Sequence, residues 1–281
     1  MIQTSWIMNK TAKNHRVEAR LRHIDGRHNA LVKELRSAFA HGDANPDGYT
    51  AIEGSRILEE AIRSGLKFRA VFFSNAGASK AERLLPQLAS HVETLLLPNK
   101  LFASAVPSDT PQGVAALVKI KNFTLEDVLG RVGTGPIVIV AGLQDPGNLG
   151  TILRSAEAFG AGGVILGEGT VNPLNSKVVR ASAGSVFRLA IAHGKLDEMM
   201  EAMQQQGIRR AATSSHQGTS LPNANLSGPL AIFIGSEGAG ISRDLMKAMD
   251  QIIAIPHSPQ VESLNAGVAA SIVLYEAARQ K

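Results

Sequence analysis

Three separated segments hold the residues best able to do chemistry. The first runs Gln144-Asp145-Pro146-Gly147-Asn148-Leu149-Gly150-Thr151-Ile152-Leu153-Arg154. The second is Ile234-Gly235-Ser236-Glu237-Gly238-Ala239-Gly240-Ile241, and the third is Ile255-Pro256-His257-Ser258-Pro259-Gln260-Val261-Glu262-Ser263-Leu264-Asn265-Ala266-Gly267-Val268. Each starts where an apolar strand stops and leads into a helix. Together they set one Arg, one Glu, one Ser and two Asn at strand-to-helix junctions, where open α/β sheets bind ligands. A guanidinium such as that of Arg154 stays charged and grips phosphate with two donors. The plainer alternative is an arginine reaching to water from a helix rim. Asn148, after the Pro146-Gly147 turn pair, is placed as a helix N-cap. Gly235, Gly238 and Gly240 let backbone groups approach a ligand closely. Glu237 among them is either a surface carboxylate or an acceptor for cofactor or substrate. No Gly-x-Gly-x-x-Gly follows a strand, no Gly-x4-Gly-Lys-Ser/Thr loop is present, and the eight His show no metal-ligand spacing.

The elements that position these segments alternate. Apolar runs at 137–141, 163–166, 189–192, 211–214, 231–234 and 252–255 read as strands, with helices between them and a last helix over 263–279. Alternation of β and α predicts a parallel sheet covered on both faces. In the last helix Leu264, Val268 and Ile272 recur every four residues and are expected to form its packed face. Upstream, strands are expected at 49–52, 71–73, 94–97 and 114–118. One helix is expected to bury Ile57, Leu58, Ala61 and Ile62, and another to lie around 81–88. Leu31, Leu35 and Phe39 share a spacing of four in a basic, partly helical leader. The organisation expected is therefore a small α/β unit over 1–121, a glycine-containing linker over 122–134 and a larger α/β unit over 135–281.

Charge divides the same way. Residues 1–121 hold 17 Lys/Arg against 11 Asp/Glu, and residues 122–281 hold 12 against 13. The first part is thus a candidate polyanion-binding module, the alternative being a merely solvated basic surface. The chain has no Cys, which excludes disulfides and thiolate chemistry and suits a reducing cytoplasm. No apolar run reaches membrane-span length and the start lacks a signal-peptide pattern, so no membrane partner is expected.

Taken jointly, the segments resemble motifs 1, 2 and 3 of the SpoU (TrmH) family of RNA ribose 2′-O-methyltransferases in the SPOUT superfamily. The matching residues are Asn148-x-Gly150-x-x-x-Arg154, Gly235-Ser236-Glu237-Gly238 and Ser263-Leu264-Asn265-x-x-x-Ala269, with Lys177-Val178-Val179-Arg180-Ala181-Ser182-Ala183-Gly184-Ser185 between the first two. The unit carrying Glu53-Gly54 and Thr110-Pro111-Gln112-Gly113 is similar to the substrate-binding domain of the rRNA-acting members, which resembles small ribosomal proteins. The resemblance implies a deep trefoil knot in the second unit. It implies S-adenosyl-L-methionine held by the loops of Ile234, Gly235, Gly238, Ile255 and Leu264. It also implies functional side chains at Asn148, Arg154, Glu237, Ser263 and Asn265, no metal, and a homodimer whose active sites are completed across the interface. The substrate implied is RNA, with 23S ribosomal RNA first. A tRNA-acting transferase and a non-catalytic RNA-binding protein of the same fold are the alternatives. A Rossmann-type oxidoreductase fits the alternation but lacks the glycine fingerprint.

Overall fold

The computed structural model describes residues 20–42, 44–215, 217–238 and 240–281; most of the basic leader therefore lies outside the described residues. The chain divides into two units, 1–121 and 122–281.

The first unit contains β1 (Arg22–His23), α1 (Ala30–His41), β2 (Tyr49–Glu53), α2 (Ser55–Arg63), β3 (Lys67–Ser74), α3 (Ala81–Leu84), β4 (Glu93–Leu97), α4 (Asn99–Ala103) and β5 (Val114–Lys119). Its sheet runs β1-β4-β3-β5-β2, with β1, β4 and β3 parallel and β5 antiparallel to both its neighbours. Helix α1 starts at Asn29, whose side chain accepts from the N–H groups of Leu31 and Val32, and ends at Gly42 with φ 70°. Its buried stripe is Val32, Leu35 and Ala38, which joins Phe72, Leu95, Leu97 and Leu117 in one core. Leu31 and Phe39, expected on that stripe, only flank it, because a 3.6-residue period drifts away from a strict spacing of four.

The second unit departs from expectation at its start. Residues 122–134 are not a linker throughout, since α5 (Leu125–Leu129) forms there behind a reciprocal Thr124–Asp127 capping box, and its Val128 and Leu129 are fully buried. Beyond it come β6 (Ile137–Val140), α6 (Pro146–Ala158), β7 (Gly163–Leu166), α7 (Ser176–Ala181), β8 (Ile191–His193), α8 (Leu196–Gln205), β9 (Arg209–Ser214), β10 (Thr219–Ser220), β11 (Leu230–Ile234), α9 (Arg243–Lys247), β12 (Gln251–Ala254) and α10 (Ala266–Arg279). All seven strands are parallel, in the order β10-β12-β9-β11-β6-β7-β8. The chain thus inserts β11 between β9 and β6, and β12 between β9 and β10.

The two faces are covered by different helices. Val128, Leu129, Met199, Met203 and Leu245 meet Ile137, Ile139, Ile165 and Phe233 in one cluster, which places α5, α8 and α9 on one face. Side chains alternate along a strand, so Val138, Val140 and Ile232, all buried, belong to the other face. There α6 packs against α7 so tightly that a Cβ on Gly150 would lie 2.3 Å from the Ala181 Cβ. Helix α10 lies along α6 in a register of fours. A Cβ on Gly267 would meet the Thr151 Cβ at 3.0 Å, Ser155 and Ser271 hydroxyls are 2.6 Å apart, and Phe159 and Tyr275 rings meet edge-on at 5.7 Å.

The packed face of α10 also differs from expectation. Gly267, Ala270, Val273, Leu274 and Ala277 are buried, whereas Val268 is 45% exposed. The helix is apolar nearly all round, so a spacing of four does not single out which stripe faces the core.

Candidate active site

Strands β6 and β11 are neighbours, Val140 opposite Ile234, and the Ala141 N–H donates to the Ile234 carbonyl at 2.9 Å. The chain leaves β6 for the α6 face and leaves β11 for the α9 face. Adjacent loops that part toward opposite faces leave a crevice at the carboxyl ends of the strands. The Asn148 amide donates from that crevice wall to the Glu237 carboxylate at 2.8 Å, and the Gln144 N–H reaches the same carboxylate at 3.4 Å. Motifs 89 residues apart are thereby tied. Burial pushes the Glu237 carboxyl up. The Asn148 amide and the backbone N–H groups of Glu237, Gln144 and Asp145 together outweigh it and hold the carboxyl below its ordinary range. Glu237 is therefore a fixed anion at neutral pH and not a proton donor.

Asn148 is not the helix cap. Asp145 is, with its side chain accepting from the Asn148 N–H at 2.7 Å and Pro146 as the first helical residue. Placing the cap three residues earlier puts Asn148 inside the first turn and frees its amide to reach Glu237. The sequence signal was the Asp-Pro pair itself.

The motif 2 loop folds back on itself. Ser236 and Gly240 exchange backbone hydrogen bonds at 3.2 and 3.0 Å. A Cβ on Gly235 would sit 2.3 Å from the Gly240 carbonyl carbon, so this glycine is required by the loop rather than by a ligand. Gly238 has φ 83° and open space where a Cβ would be, leaving bare backbone at the surface.

In the third segment Asn265 is the N-cap of α10, accepting from the Val268 N–H at 3.2 Å. The helix starts at Ala266, three residues later than expected, because a capping Asn is itself non-helical. Ser263 is exposed on the approach to that cap, and Leu264 is half-buried beside it. Gly267 sets this end of α10 against Thr151, one turn before Arg154 on α6. The His257 Nδ1 donates to the Ile255 carbonyl at 2.7 Å, which fixes the ring against the end of β12.

Arg154 lies on α6, one turn beyond Gly150 and so in the third turn of the helix rather than the second. It is exposed and forms no hydrogen bond or ion pair among the described residues. The Glu237 carboxylate is engaged with Asn148 and not with Arg154.

One contributor escaped the sequence reading. Strand β9 lies between β11 and β12, so Ser214 at its end and Ser215 and Gln217 after it stand between the motif 2 and motif 3 loops. Gly218, at φ 114°, brings this loop so close to β12 that a Cβ would be 2.4 Å from the Ile252 carbonyl oxygen. Thr213-Ser214-Ser215 was visible as a polar run, but strand order, which gives it meaning, was not.

These loops fit a cationic adenosyl ligand. Bare backbone at Gly238, half-buried apolar side chains at Ile255 and Leu264, and an ionised carboxylate at Glu237 line one edge of the sheet. Among the described residues no group of three His, Asp or Glu is arranged to hold a metal.

Comparison with known proteins agrees with this arrangement. Residues 135–275 match the model of the SpoU rRNA methylase family, and residues 29–116 match an MRM3-like substrate binding domain. An uncharacterized tRNA/rRNA methyltransferase of Synechocystis is 34% identical over 92% of this chain and 94% of its own. The 23S rRNA (guanosine(2553)-2′-O)-methyltransferase RlmP of Bacillus subtilis is 27% identical over 91% of this chain and 98% of its own. Among solved structures, an AdoMet-bound rRNA methyltransferase from Sinorhizobium meliloti superposes with a TM-score of 0.79 at 26% identity, covering 92% of this chain and 98% of that one. AviRb from Streptomyces viridochromogenes, in complex with AdoMet, gives 0.75 at 27% identity over 90% and 98% of the two chains. With the family model spanning the whole strand-and-loop frame of the site, the chain belongs to the SpoU rRNA methylase family.

Proposed function

We propose that the protein transfers a methyl group from S-adenosyl-L-methionine to a ribose 2′-hydroxyl of ribosomal RNA, with 23S rRNA the first substrate. The carrying observation is the crevice between β6 and β11, where Asn148 and Glu237 are bonded at 2.8 Å, with an exposed Arg154 farther along the same helix. S-adenosyl-L-methionine supplies, when bound, an electrophilic methyl on a sulfonium. The residues that would hold it are Ile234, Gly235, Gly238, Ile255 and Leu264, with Ser214 and Ser215 added by their place in the sheet.

The protein's own part is positioning. Arg154 grips a phosphate next to the target ribose and aligns the hydroxyl for in-line attack. It does not serve as a literal base, because a guanidinium stays protonated in proteins; the proton leaves through a phosphate oxygen or water that Arg154 orients. Ser263 and Asn265 orient the ribose, Asn265 through the amide nitrogen not spent on its cap. Glu237 holds Asn148 in place. The first unit, with its excess of basic residues, contributes RNA affinity, and its match to a substrate binding domain supports that role. An rRNA substrate assigns the chain to the cytoplasm.

Two further readings belong to the same proposal. The chain is knotted, supported by the late insertion of β11 and β12 between earlier strands. It works as a homodimer, supported by an apolar ridge left open on α10 and before it, with Val261, Val268 and Tyr275 exposed by 44%, 45% and 56%. A second copy seated there would bring Arg154 to its partner's cofactor loops.

The test is transfer of isotope-labelled methyl to in vitro transcribed 23S and 16S rRNA and tRNA, followed by alkaline hydrolysis. A methylated 2′-oxygen blocks cleavage of the next linkage, so label must appear in alkali-resistant dinucleotides. Label in bases, or no label in any RNA, overturns the reading.

A further inference from the structure

A second crevice opens two strands away. The chain leaves β7 toward the α6, α7 and α10 face and leaves β8 toward the α5, α8 and α9 face. The same divergence that makes the site between β6 and β11 therefore recurs between β7 and β8. It is an open groove of about 390 Å³ between residues 166–170 on one wall and 193–198 on the other. A groove of that size and openness has room for one face of a flat ring rather than for an engulfed ligand. Its floor is backbone: Gly167 and Gly194 are kept bare by packing, since a Cβ would lie 3.3 Å from the Val140 carbonyl oxygen and 3.0 Å from the Met199 Cγ respectively. A flat ring can lie on such a floor.

The crevice shares a wall with motif 1. The Gly142 N–H donates to the Thr170 hydroxyl at 3.1 Å, and the Val171 N–H donates to the Leu143 carbonyl at 2.8 Å. Gln144, next along, donates to Glu237. An occupant of this crevice is thus one loop away from the carboxylate of the site.

Its polar groups indicate what the occupant presents. Glu168 and Glu198 are exposed, one on each wall, and Lys195 stands 3.8 Å from Glu198. Two carboxylates repel a bare phosphate, and they are acceptors only. They match the amino group on the pairing edge of cytosine, adenine or guanine, while Lys195 suits the attached backbone. Building on the RNA methyltransferase reading, we propose that this crevice takes an unstacked, amino-bearing base of the substrate RNA near the methylated nucleotide. Glu168 and Glu198 read its amino group.

Charge reversal separates this from a solvated surface. In the full chain, Glu168→Lys with Glu198→Lys adds positive charge. A surface merely near RNA would then bind RNA more tightly and with a steeper salt dependence. A base-reading site predicts the opposite, a KM for rRNA raised ~10-fold, with kcat and S-adenosyl-L-methionine affinity unchanged. A KM that falls or stays constant overturns the proposal. The second measurement needs no turnover. Saturation-transfer NMR with cytidine and uridine 5′-monophosphates compares two bases that differ at the amino position. The unaltered protein should show transfer to cytidine but not to uridine, and the Glu168→Ala, Glu198→Ala variant should show transfer to neither. Equal transfer to cytidine and uridine, or transfer neither to cytidine nor to the adenosine and guanosine 5′-monophosphates measured alongside, rejects the site even if the protein methylates rRNA. Cytidine-selective transfer in a protein that methylates no RNA would retain the site and reject the enzymatic reading.

Discussion

The two halves of the candidate site are built differently. On the β6/β11 side, Asn148 is 9% exposed and held by Glu237, whose carboxylate is in turn held by backbone N–H groups. On the β12/α6 side, Arg154, Ser263 and Asn265 are exposed, and Arg154 pairs with none of the described residues. Folding alone completes the first half. The second is left for substrate, cofactor or another copy of the chain to complete. A charged side chain parked in water costs the fold nothing, and it saves its hydrogen bonds for the ligand. Variation in the first half should therefore disturb stability, and variation in the second only turnover.

The sharpest way to break this comparison is Arg154→Ala. Loss of one positioned transition-state group costs on the order of 10²-fold or more in rate. Melting temperature should stay put, because an unpaired surface residue contributes within about 0.5 kcal/mol. S-adenosyl-L-methionine affinity, measured by calorimetry, should also be retained. Arg154→Lys should rescue poorly, since an ammonium lacks the planar fork. A variant that melts earlier would mean that Arg154 belongs to the fold, and a fully active one would remove it from the mechanism.

Gly235→Val comes next. The added carbons meet the Gly240 and Ile241 backbone at 2.3–2.6 Å, so the motif 2 loop must shift. Overpacking of this kind costs about 1–3 kcal/mol. Cofactor affinity should fall along with stability, through distortion of the loop and not by filling the ligand's space. Gly238→Ala, with open space and only a strained φ, should cost less on both counts. Calorimetry and thermal melts on the pair separate the two effects; equal losses would contradict the geometry.

The Asn148–Glu237 bond is the third test. Asn148→Ala should destabilise by about 1 kcal/mol, and with Glu237→Gln in a double-mutant cycle the coupling should be of similar size. The pH dependence has a definite sign. Because the folded carboxyl lies below its unfolded value, its stabilisation is fully present at neutral pH. It is lost only as pH falls through the lowered value, below the ordinary glutamate pKa of about 4.3. Acid melts of the protein and of Glu237→Gln should therefore converge in that window. Additive single variants would show that the two motifs are merely neighbours.

Much of this frame was legible in the sequence. Strand 163–166 is found at the expected residues because its apolar run is bracketed by Gly160, Gly162 and Gly167. The three motif loops lie where alternation placed them. What was hidden depends on tertiary context. Helix α5 looked like linker because three glycines closely follow a five-residue helix whose Val128 and Leu129 become core only against the sheet. The inward face of α10 was ambiguous in a nearly all-apolar helix. The Ser214 loop entered the site only through the position of β9 between β11 and β12, and no local pattern encodes strand order.

The smallest expected effect concerns Asp145, and it tests how the ordered half begins. The Asp145 side chain accepts from the Asn148 N–H at 2.7 Å, and its carbonyl takes the first helical bond from Leu149 at 3.1 Å. Removing a capping carboxylate costs about 0.5–1 kcal/mol of helix stability. Asp145→Ala should therefore lower the melting temperature slightly and loosen the first turn of α6, which carries Asn148 to Glu237. Asp145→Asn should restore most of the loss, since Asn caps equally well, whereas a charge effect on the helix dipole would not be restored. Asn148→Asp provides the converse. Were Asn148 the cap, this change would be neutral. In the observed geometry it places a second carboxylate against Glu237, so it should destabilise the site and weaken further as salt is lowered. Thermal melts of the three variants at two ionic strengths decide between the caps. A neutral Asn148→Asp with an unharmed Asp145→Ala would return the cap to Asn148 and undo the assignment of the ordered half.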